Sequence, residues 1–377
     1  MNRFVFYPVG QGLFYSGQLS CHPYWRCLRN FIFDCGGDEP YIGEAVDRFA
    51  DEIGYDRVNL CVISHLHRDH YNGLTLLKNK GIRINNIVLP YLPYRYPALK
   101  FIYIVGQYYS ESKNLDVNED DVASISLMSM LYRIQESDRN ESEFFGQVRG
   151  FEENVIENGF KYFKYKDSIP LHNQKKWIFE IYNKTITDEQ WREYNDRLNA
   201  CLREEGIEDV KRLFPDRVEK LIDIYKTVFG KNLNATSIVM KHYCQGLQRG
   251  FYPVRDSRVG CFNGLYDVRL PFVFERRVGN VTVLTGDAEF DEYLHRCIFD
   301  DVSSISVLQV PHHGAKKNWQ KMGLPSDADC KLVVSYGLGN KYRHPNCAVV
   351  QDILESYNCD LISVTQATQY EYIIETR

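Results

Sequence analysis

A short apolar run, Asn59 to Ser64, ends directly in His65-Leu-His-Arg-Asp-His70. The run reads as a buried strand. Three imidazoles and a carboxylate within six residues cannot be buried without partners. The chain must therefore fold so that a core strand delivers a polar loop at its end. Other segments repeat this arrangement. Asn30 to Gly37 reads as a buried strand stopped by two glycines, with Asp34 just before them. Val281 to Leu284 leads into Thr-Gly-Asp287, and Ser306 to Val310 leads into Pro-His312-His313-Gly314. Phe4 to Val9, Ile82 to Leu89, Thr236 to Met240 and Leu332 to Ser335 are further strand candidates. A helix is expected over residues 41–53, where Ala45, Val46, Phe49 and Ile53 share helical spacing, and a shorter one through Leu74 and Leu77. Strand and helix alternate as in an α/β layered fold.

Residues 100–232 change character, and helical periodicity dominates. Asn118 with Asp121 suits a helix start before Val122, Ile125 and Leu131. Thr187 with Gln190 has capping-box spacing, and Trp191, Tyr194, Leu198 and Leu202 form one stripe. Pro215 separates this helix from another through Leu221, Ile222 and Tyr225. The expectation is a single domain over 1–377, interrupted by a helical insertion at 100–232.

Composition narrows the class. With 44% hydrophobic and 25% charged residues in 377, the chain can bury a large core and is not disordered. A net charge of −5 argues against coating nucleic acid by bulk charge. No apolar run is long enough to span a bilayer, and the N-terminal residues lack a signal-peptide pattern, so no membrane association and a cytoplasmic location are expected. The 11 cysteines are odd in number and contain no C-x-x-C pair, which favours reduced, mostly buried thiols. Tyrosines cluster between Tyr91 and Tyr109, as a packed layer or a recognition surface.

Neutral imidazole and carboxylate are the donors of zinc and similar divalent ions. His65 and His67, two apart in extended backbone, point the same way and can grip one ion. Asp69 and His70 emerge where the chain turns into a helix and can grip a second. Asp287, at a strand end, has two oxygens with which to bridge two cations, although alone it would read as a turn or cap residue. The pair His312 and His313 also follows a strand.

Together these elements resemble the metallo-β-lactamase fold family of metallohydrolases, whose signature is H-x-H-x-D-H. The chain is more closely similar to the hydrolase domain of ComEC-type DNA-uptake proteins. That likeness rests on Val9-Gly-Gln-Gly12, Phe33-Asp-Cys-Gly-Gly37, the His loop, residues 234–239 (Asn-Ala-Thr-Ser-Ile-Val), Leu284-Thr-Gly-Asp287, Pro311-His-His-Gly314 and Asn340-Lys-Tyr-Arg-His-Pro345. It implies a four-layer αββα sandwich holding one or two divalent metal ions, zinc or manganese. His65 and His67 would bind the first ion, and Asp69 and His70 the second. Asp287 would bridge, and either His312 or His313 would complete the second site. Asp34 would support the His loop from behind. Two departures stand out. The family's third imidazole for the first ion is missing, with Asn234 the nearest polar residue. Leu13 holds a place where the branch carries Asp. Of the spare imidazoles His172 and His242, the latter lies in a strand run and reads as structural.

Such a site activates water for hydrolysis, with Asp69 and Asp287 orienting the nucleophile. Residues 312–345 carry six basic residues against two acidic, and 241–277 seven against three. These segments suit an anionic substrate, with Lys316, Lys317 and Lys341 as contacts and His344 as a candidate to protonate the leaving group. A phosphodiesterase or nuclease acting on DNA, RNA or a nucleotide is the leading expectation. A hydrolase of a small ester, thioester or lactone, and a module docking a protein partner through 100–232, are the alternatives.

Overall fold

The computed structural model describes residues 2–21, 28–93, 95–109, 117–137, 145–149, 153–157, 160–171, 175–229, 234, 236–245, 252–261, 276–278, 280–300, 305–326, 330–357 and 359–374. In chain order the strands are β1 (Asn2–Phe6), β2 (Phe14–Ser20), β3 (Leu28–Cys35), β4 (Val58–Val62), β5 (Ile84–Val88), β6 (Phe145–Arg149), β7 (Glu153–Glu157), β8 (Phe160–Pro170), β9 (Lys176–Ile186), β10 (Ile238–Gln245), β11 (Tyr252–Cys261), β12 (Arg276–Val278), β13 (Val281–Leu284), β14 (Ile305–Gln309), β15 (Lys331–Ser335), β16 (Asp360–Val364) and β17 (Thr368–Ile374). The helices are α1 (Tyr41–Ile53), α2 (Arg68–Tyr71), α3 (Leu74–Asn79), α4 (Pro97–Tyr109), α5 (Glu119–Ser137), α6 (Asp188–Glu204), α7 (Val218–Phe229), α8 (Glu292–Phe299), α9 (Lys316–Met322) and α10 (Cys347–Ser356).

One sheet runs β12-β11-β17-β1-β2-β3-β4-β5-β6, and the other β16-β15-β14-β13-β10-β9-β8-β7. Side chains alternate between strand faces, and β1 shows the consequence. Phe4 and Phe6 join Trp177, Phe179, Met240, Val307 and Tyr372 in the layer between the sheets. Val5 points the other way, into a core with Val46, Phe49, Leu131, Trp191 and Tyr225 from helices α1, α5, α6 and α7. Helices α8, α9 and α10 cover the second sheet through Leu294, Trp319 and Ile353. The architecture is a four-layer αββα sandwich, the layering that the resemblance implies. Among the described residues no helix is long and apolar enough to cross a membrane.

The segment 100–232 differs from the helical insertion read from its sequence. Its helices match that reading closely. Thr187 and Gln190 form a reciprocal capping box at the start of α6, and Trp191, Tyr194, Leu198 and Leu202 are all buried. Between the helices, however, β6 extends the first sheet and β7, β8 and β9 extend the second. In β9 the alternation of Trp177, Phe179 and Ile181 buries those three between the sheets. Period-2 patterning inside a charged segment was the missed signal. Helices α4 to α7 pack on the first sheet as part of the sandwich core. Nine of the cysteines are free thiols, in line with the reduced reading. His172 and most of the basic segment 241–277 lie outside the described residues.

His242 is structural. It is fully buried between the sheets, where Trp177 Nε1–H donates to its Nδ1 at 3.2 Å and its Nε2 lies 3.0 Å from Tyr15 Oη. The chain continues through Tyr372 Oη, 2.7 Å from Tyr15 Oη, to Thr282 Oγ1 at 2.7 Å. Burial pushes the His242 pKa down to about 3. A proton that the unfolded chain accepts near pH 6.5 is thus refused by the folded one, so stability is full above that pH and falls as pH drops toward 3. This contributes a loss of about 2 kcal/mol between pH 7 and pH 5. The loss should shrink by that amount in His242→Gln, whose amide can serve both partners. Urea unfolding at the two pH values measures it, and equal slopes for both proteins would refute the assignment.

Candidate metal centre

The site lies where strands end. β3 delivers Asp34, β4 delivers Ser64 and the His loop, β13 delivers Asp287, and β14 delivers His312 and His313. In open α/β sheets this carboxyl edge is where ligands bind. Two glycines explain how the His loop comes so close. A Cβ on Gly36 would meet Asp69 C and His70 N at 2.4 Å, and one on Gly12 would meet Asp69 O at 2.5 Å. The motif glycines are thus the bed on which the Asp69-His70 backbone rests. Asn72 locks the bed, accepting from Gly37 N at 3.0 Å and donating to Gly37 O at 2.9 Å.

Asp34 is fully buried with a left-handed backbone, φ 56°. Its Oδ1 accepts from Ser64 N at 2.6 Å, and its Oδ2 accepts from Ser64 Oγ at 2.6 Å and His70 Nδ1 at 2.7 Å. Ser64 Oγ, having donated to Asp34, can accept from His65 Nδ1 at 2.9 Å. His313 Nδ1 donates to Ser335 O at 2.8 Å. Asn318 uses its amide nitrogen on Asp287 O and Ala288 O, so its Oδ1 faces His312 Nδ1 at 3.1 Å, an atom that Asn234 Nδ2 also approaches at 3.2 Å. His65, His70 and His313 therefore carry a proton on Nδ1 and turn Nε2 inward, the orientation found in metal-ligating histidines.

The inward atoms gather on Asp287. His65 Nε2 and His312 Nε2 each lie 3.4 Å from its Oδ2. His70 Nε2 lies 3.5 Å and His313 Nε2 3.9 Å from its Oδ1. Asp69 Oδ2 is 3.5 Å from His313 Nε2, and Asp69 Oδ1 is 3.9 Å from His70 Nε2. His67 packs edge-on against His65, ring centroids 4.4 Å apart. The Nε2 atoms of His65, His70 and His313 and Asp287 Oδ1 are buried with no hydrogen-bond partner. Converging buried lone pairs with nothing to accept from are what a divalent cation satisfies. The residues present therefore fit the metal that the fold implies. His65, His70 and Asp287 form one compact donor group, and Asp69, His70 and His313 another.

Burial pushes His65 down to about 3, with the His70 and His67 imidazoles adding to it. Burial also opposes charge on His70, but Asp34, Asp287 and Asp69 outweigh it and push His70 up to about 10. Burial would raise Asp287, yet the facing His312, His65 and His70 hold it well below the usual carboxylate range. The pocket demands positive charge among its carboxylates.

Beside this floor opens a cleft of about 560 Å³, walled by Arg68, Tyr108, Tyr109, Lys341 and Tyr342, with Asp69 at its base. Among the described residues Lys341 is the one lysine of the three expected contacts that lines it. Lys317 is turned away and ion-paired with Glu289, and Lys316 is an exposed residue opening α9. His344 stands next to His312, ring centroids 5.6 Å apart, and stacks on Tyr342 at 5.9 Å. Asn234 lies 3.5 Å from Asp287 Oδ2 and 3.2 Å from His312 Nδ1 through its amide nitrogen.

Several residues escaped the sequence reading. Asp38 lines the cleft and accepts from Gln11 N at 2.8 Å, so a carboxylate stands on this wall although Leu13 itself is buried between the sheets. Asp121, expected only as a helix-start residue, accepts from Tyr108 Oη at 2.8 Å and lies 3.4 Å from Arg68 Nε. It ties α5 to the His loop. Within the tyrosine cluster Tyr103 packs on Trp191 and Tyr225, as a packed layer would, while Tyr108 and Tyr109 also line the cleft.

No protein-family model matches the chain. It is 28% identical over 137 residues to the cleavage and polyadenylation specificity factor subunit 3-I of Arabidopsis thaliana. The match covers 36% of this chain and 17% of that protein's length. Among solved structures, the chain is similar to the metallo-β-lactamase fold protein YhfI from Bacillus subtilis, with TM-score 0.39 and 7% identity, over 98% of this chain and 100% of that one. It is also similar to the long form RNase Z from yeast, with TM-score 0.36 and 8% identity, over 98% of this chain and 41% of that one.

Proposed function

We propose that this chain is a metal-dependent phosphodiesterase acting on a nucleotide or polynucleotide. One observation carries the reading. Buried imidazole and carboxylate atoms without hydrogen-bond partners meet beside a cleft that combines cationic and aromatic side chains. When bound, divalent cations held by His65, His67, Asp69, His70, Asp287 and the His312-His313 pair would activate water near neutral pH and polarise a phosphoryl oxygen. Zinc suits imidazole donors and manganese suits carboxylates, and the site offers both. Asp69 reaches the cleft and can accept a hydrogen bond from the attacking water. Lys341 would offset phosphate charge. Tyr109 and Tyr342 would offer faces for bases, each stack worth about 1–3 kcal/mol. His344, beside His312, would protonate the departing oxygen. The partial likeness to a protein named for cleavage and polyadenylation supports a polynucleotide over a small ester.

The test is hydrolysis of RNA, single- and double-stranded DNA, a chromogenic phosphodiester, and small esters and lactones, each with zinc, manganese or magnesium. Phosphodiester cleavage is expected, abolished by chelation and restored by metal. Lys341→Ala should raise KM for the polymer and lower the slope of log affinity against log salt by about one. Its kcat on the small phosphodiester should be nearly unchanged. Ester or lactone turnover with no phosphodiester cleavage under any metal would overturn the reading.

A further inference from the structure

We propose that both imidazoles of the His312-His313 pair are metal ligands, one on each side of Asp287, and that His312 supplies the third imidazole of the first site. This rests on the two-cation reading above. It differs from the arrangement the family resemblance implies, in which one of the two rings completes the second site.

Backbone conformation is the first observation. Adjacent side chains in an extended strand point to opposite faces, so two consecutive histidines would not both reach one carboxylate. Here His312 and His313 are both left-handed, φ 49° and 52°, and Gly314 follows at φ 83°. A non-glycine residue in that region is strained by about 1–2 kcal/mol. Such strain persists where the surroundings over-determine it, commonly at functional sites. Its effect is to bring both Nε2 atoms to Asp287.

The second observation is how they divide. His313 joins the Oδ1 side, with Asp69 and His70. His312 faces Oδ2, at the same 3.4 Å as His65. Asn318 Oδ1 and Asn234 Nδ2 both flank His312 Nδ1, at 3.1 and 3.2 Å, so Nε2 is the nitrogen turned toward Asp287. The third observation concerns the missing ligand. Near the place where the family resemblance implies an imidazole, Asn234 is the nearest polar residue, and its amide sits behind His312, 3.5 Å from Asp287 Oδ2. The shorter side chain leaves the Oδ2 side to a ring arriving from β14.

Metal content and affinity test this directly, by mass spectrometry and by zinc or manganese titration, with cobalt absorption reporting donor number. The native protein should hold two cations. His312→Ala should keep one and bind the other more weakly than the ~10–100-fold loss typical of removing a supporting residue. Asn318→Ala should fall within that smaller range. Adding Asn234→His should restore the second cation to His312→Ala but not to His313→Ala. His312→Phe, of similar volume without a donor, replaces the alanine variant if that does not fold. Two cations at native affinity in the His312 variants would overturn this inference alone. A native protein that takes up no divalent cation would overturn both it and the reading beneath it.

Discussion

Asp287→Ala is expected to release both cations and to lower phosphodiester hydrolysis by ~10³-fold or more. A cation at the reacting phosphoryl supplies several kcal/mol of transition-state stabilisation, and each 1.36 kcal/mol is a factor of ten. Asp287 is central because its two oxygens face different imidazoles. Oδ2 faces His65 and His312, and Oδ1 faces His70 and His313. Its removal leaves the rings on both sides without the carboxylate they face. Asp69→Ala is the informative comparison. Asp69 contacts only His70 and His313 among these rings, so that variant should retain one cation while losing activity. Elemental analysis of the two purified variants, alongside turnover of a chromogenic phosphodiester, gives the result. Retention of both cations by Asp287→Ala would remove the basis for a bridged centre.

Gly36→Ala should disable the site from outside it. The added methyl carbon would stand 2.4 Å from Asp69 C and His70 N, both backbone atoms. Backbone cannot swing aside as the end of a long side chain can, so the His loop must shift. Overpacking of this kind costs about 1–3 kcal/mol. A displacement on the order of 1 Å at a catalytic group costs about 10²-fold in rate. The expected outcome is a folded protein with weaker metal binding and about a hundredfold slower turnover. Gly43→Ala is the control. It lies within α1, where the nearest neighbour of an added Cβ is a Glu39 carboxylate oxygen at 4.0 Å. Alanine should stabilise that helix by about 0.5–1 kcal/mol without touching the site. Thermal unfolding and cation titration separate the two variants, and native affinity in Gly36→Ala would show that the loop tolerates the contact.

Much of the sandwich was readable because its strands are short apolar runs and α1 has a clear apolar stripe. The helix α1 spans the 41–53 expected of it, and Ala45, Val46, Phe49 and Ile53 are its buried face. The strands of 145–186 were missed. Their hydrophobic residues alternate with lysines, and local charge there resembled a solvated helical face. The basic stretch 312–345 misled in another way. Lys317 and Lys321 both meet Glu289, a neighbour that no count over 312–345 includes. Gly36 and Gly12 were visible as motif glycines, but not the backbone they cradle.

The sequence by itself determined what kinds of donor the site holds and that strands present them. Three histidines and an aspartate after an apolar run, an aspartate after Thr-Gly and a histidine pair after Pro are local facts, as are the capping box at Thr187 and the stripe of α6. Tertiary structure alone decided the partition of His312 and His313 around Asp287. It also decided the approach of Asp121 to Arg68 and the joining of Tyr108, Asp38 and Lys341 in one cleft. The physical reason is range. Periodicity and donor chemistry are written along the chain, whereas a coordination site is a set of distances between strands far apart in sequence, fixed only when both sheets close on their shared core.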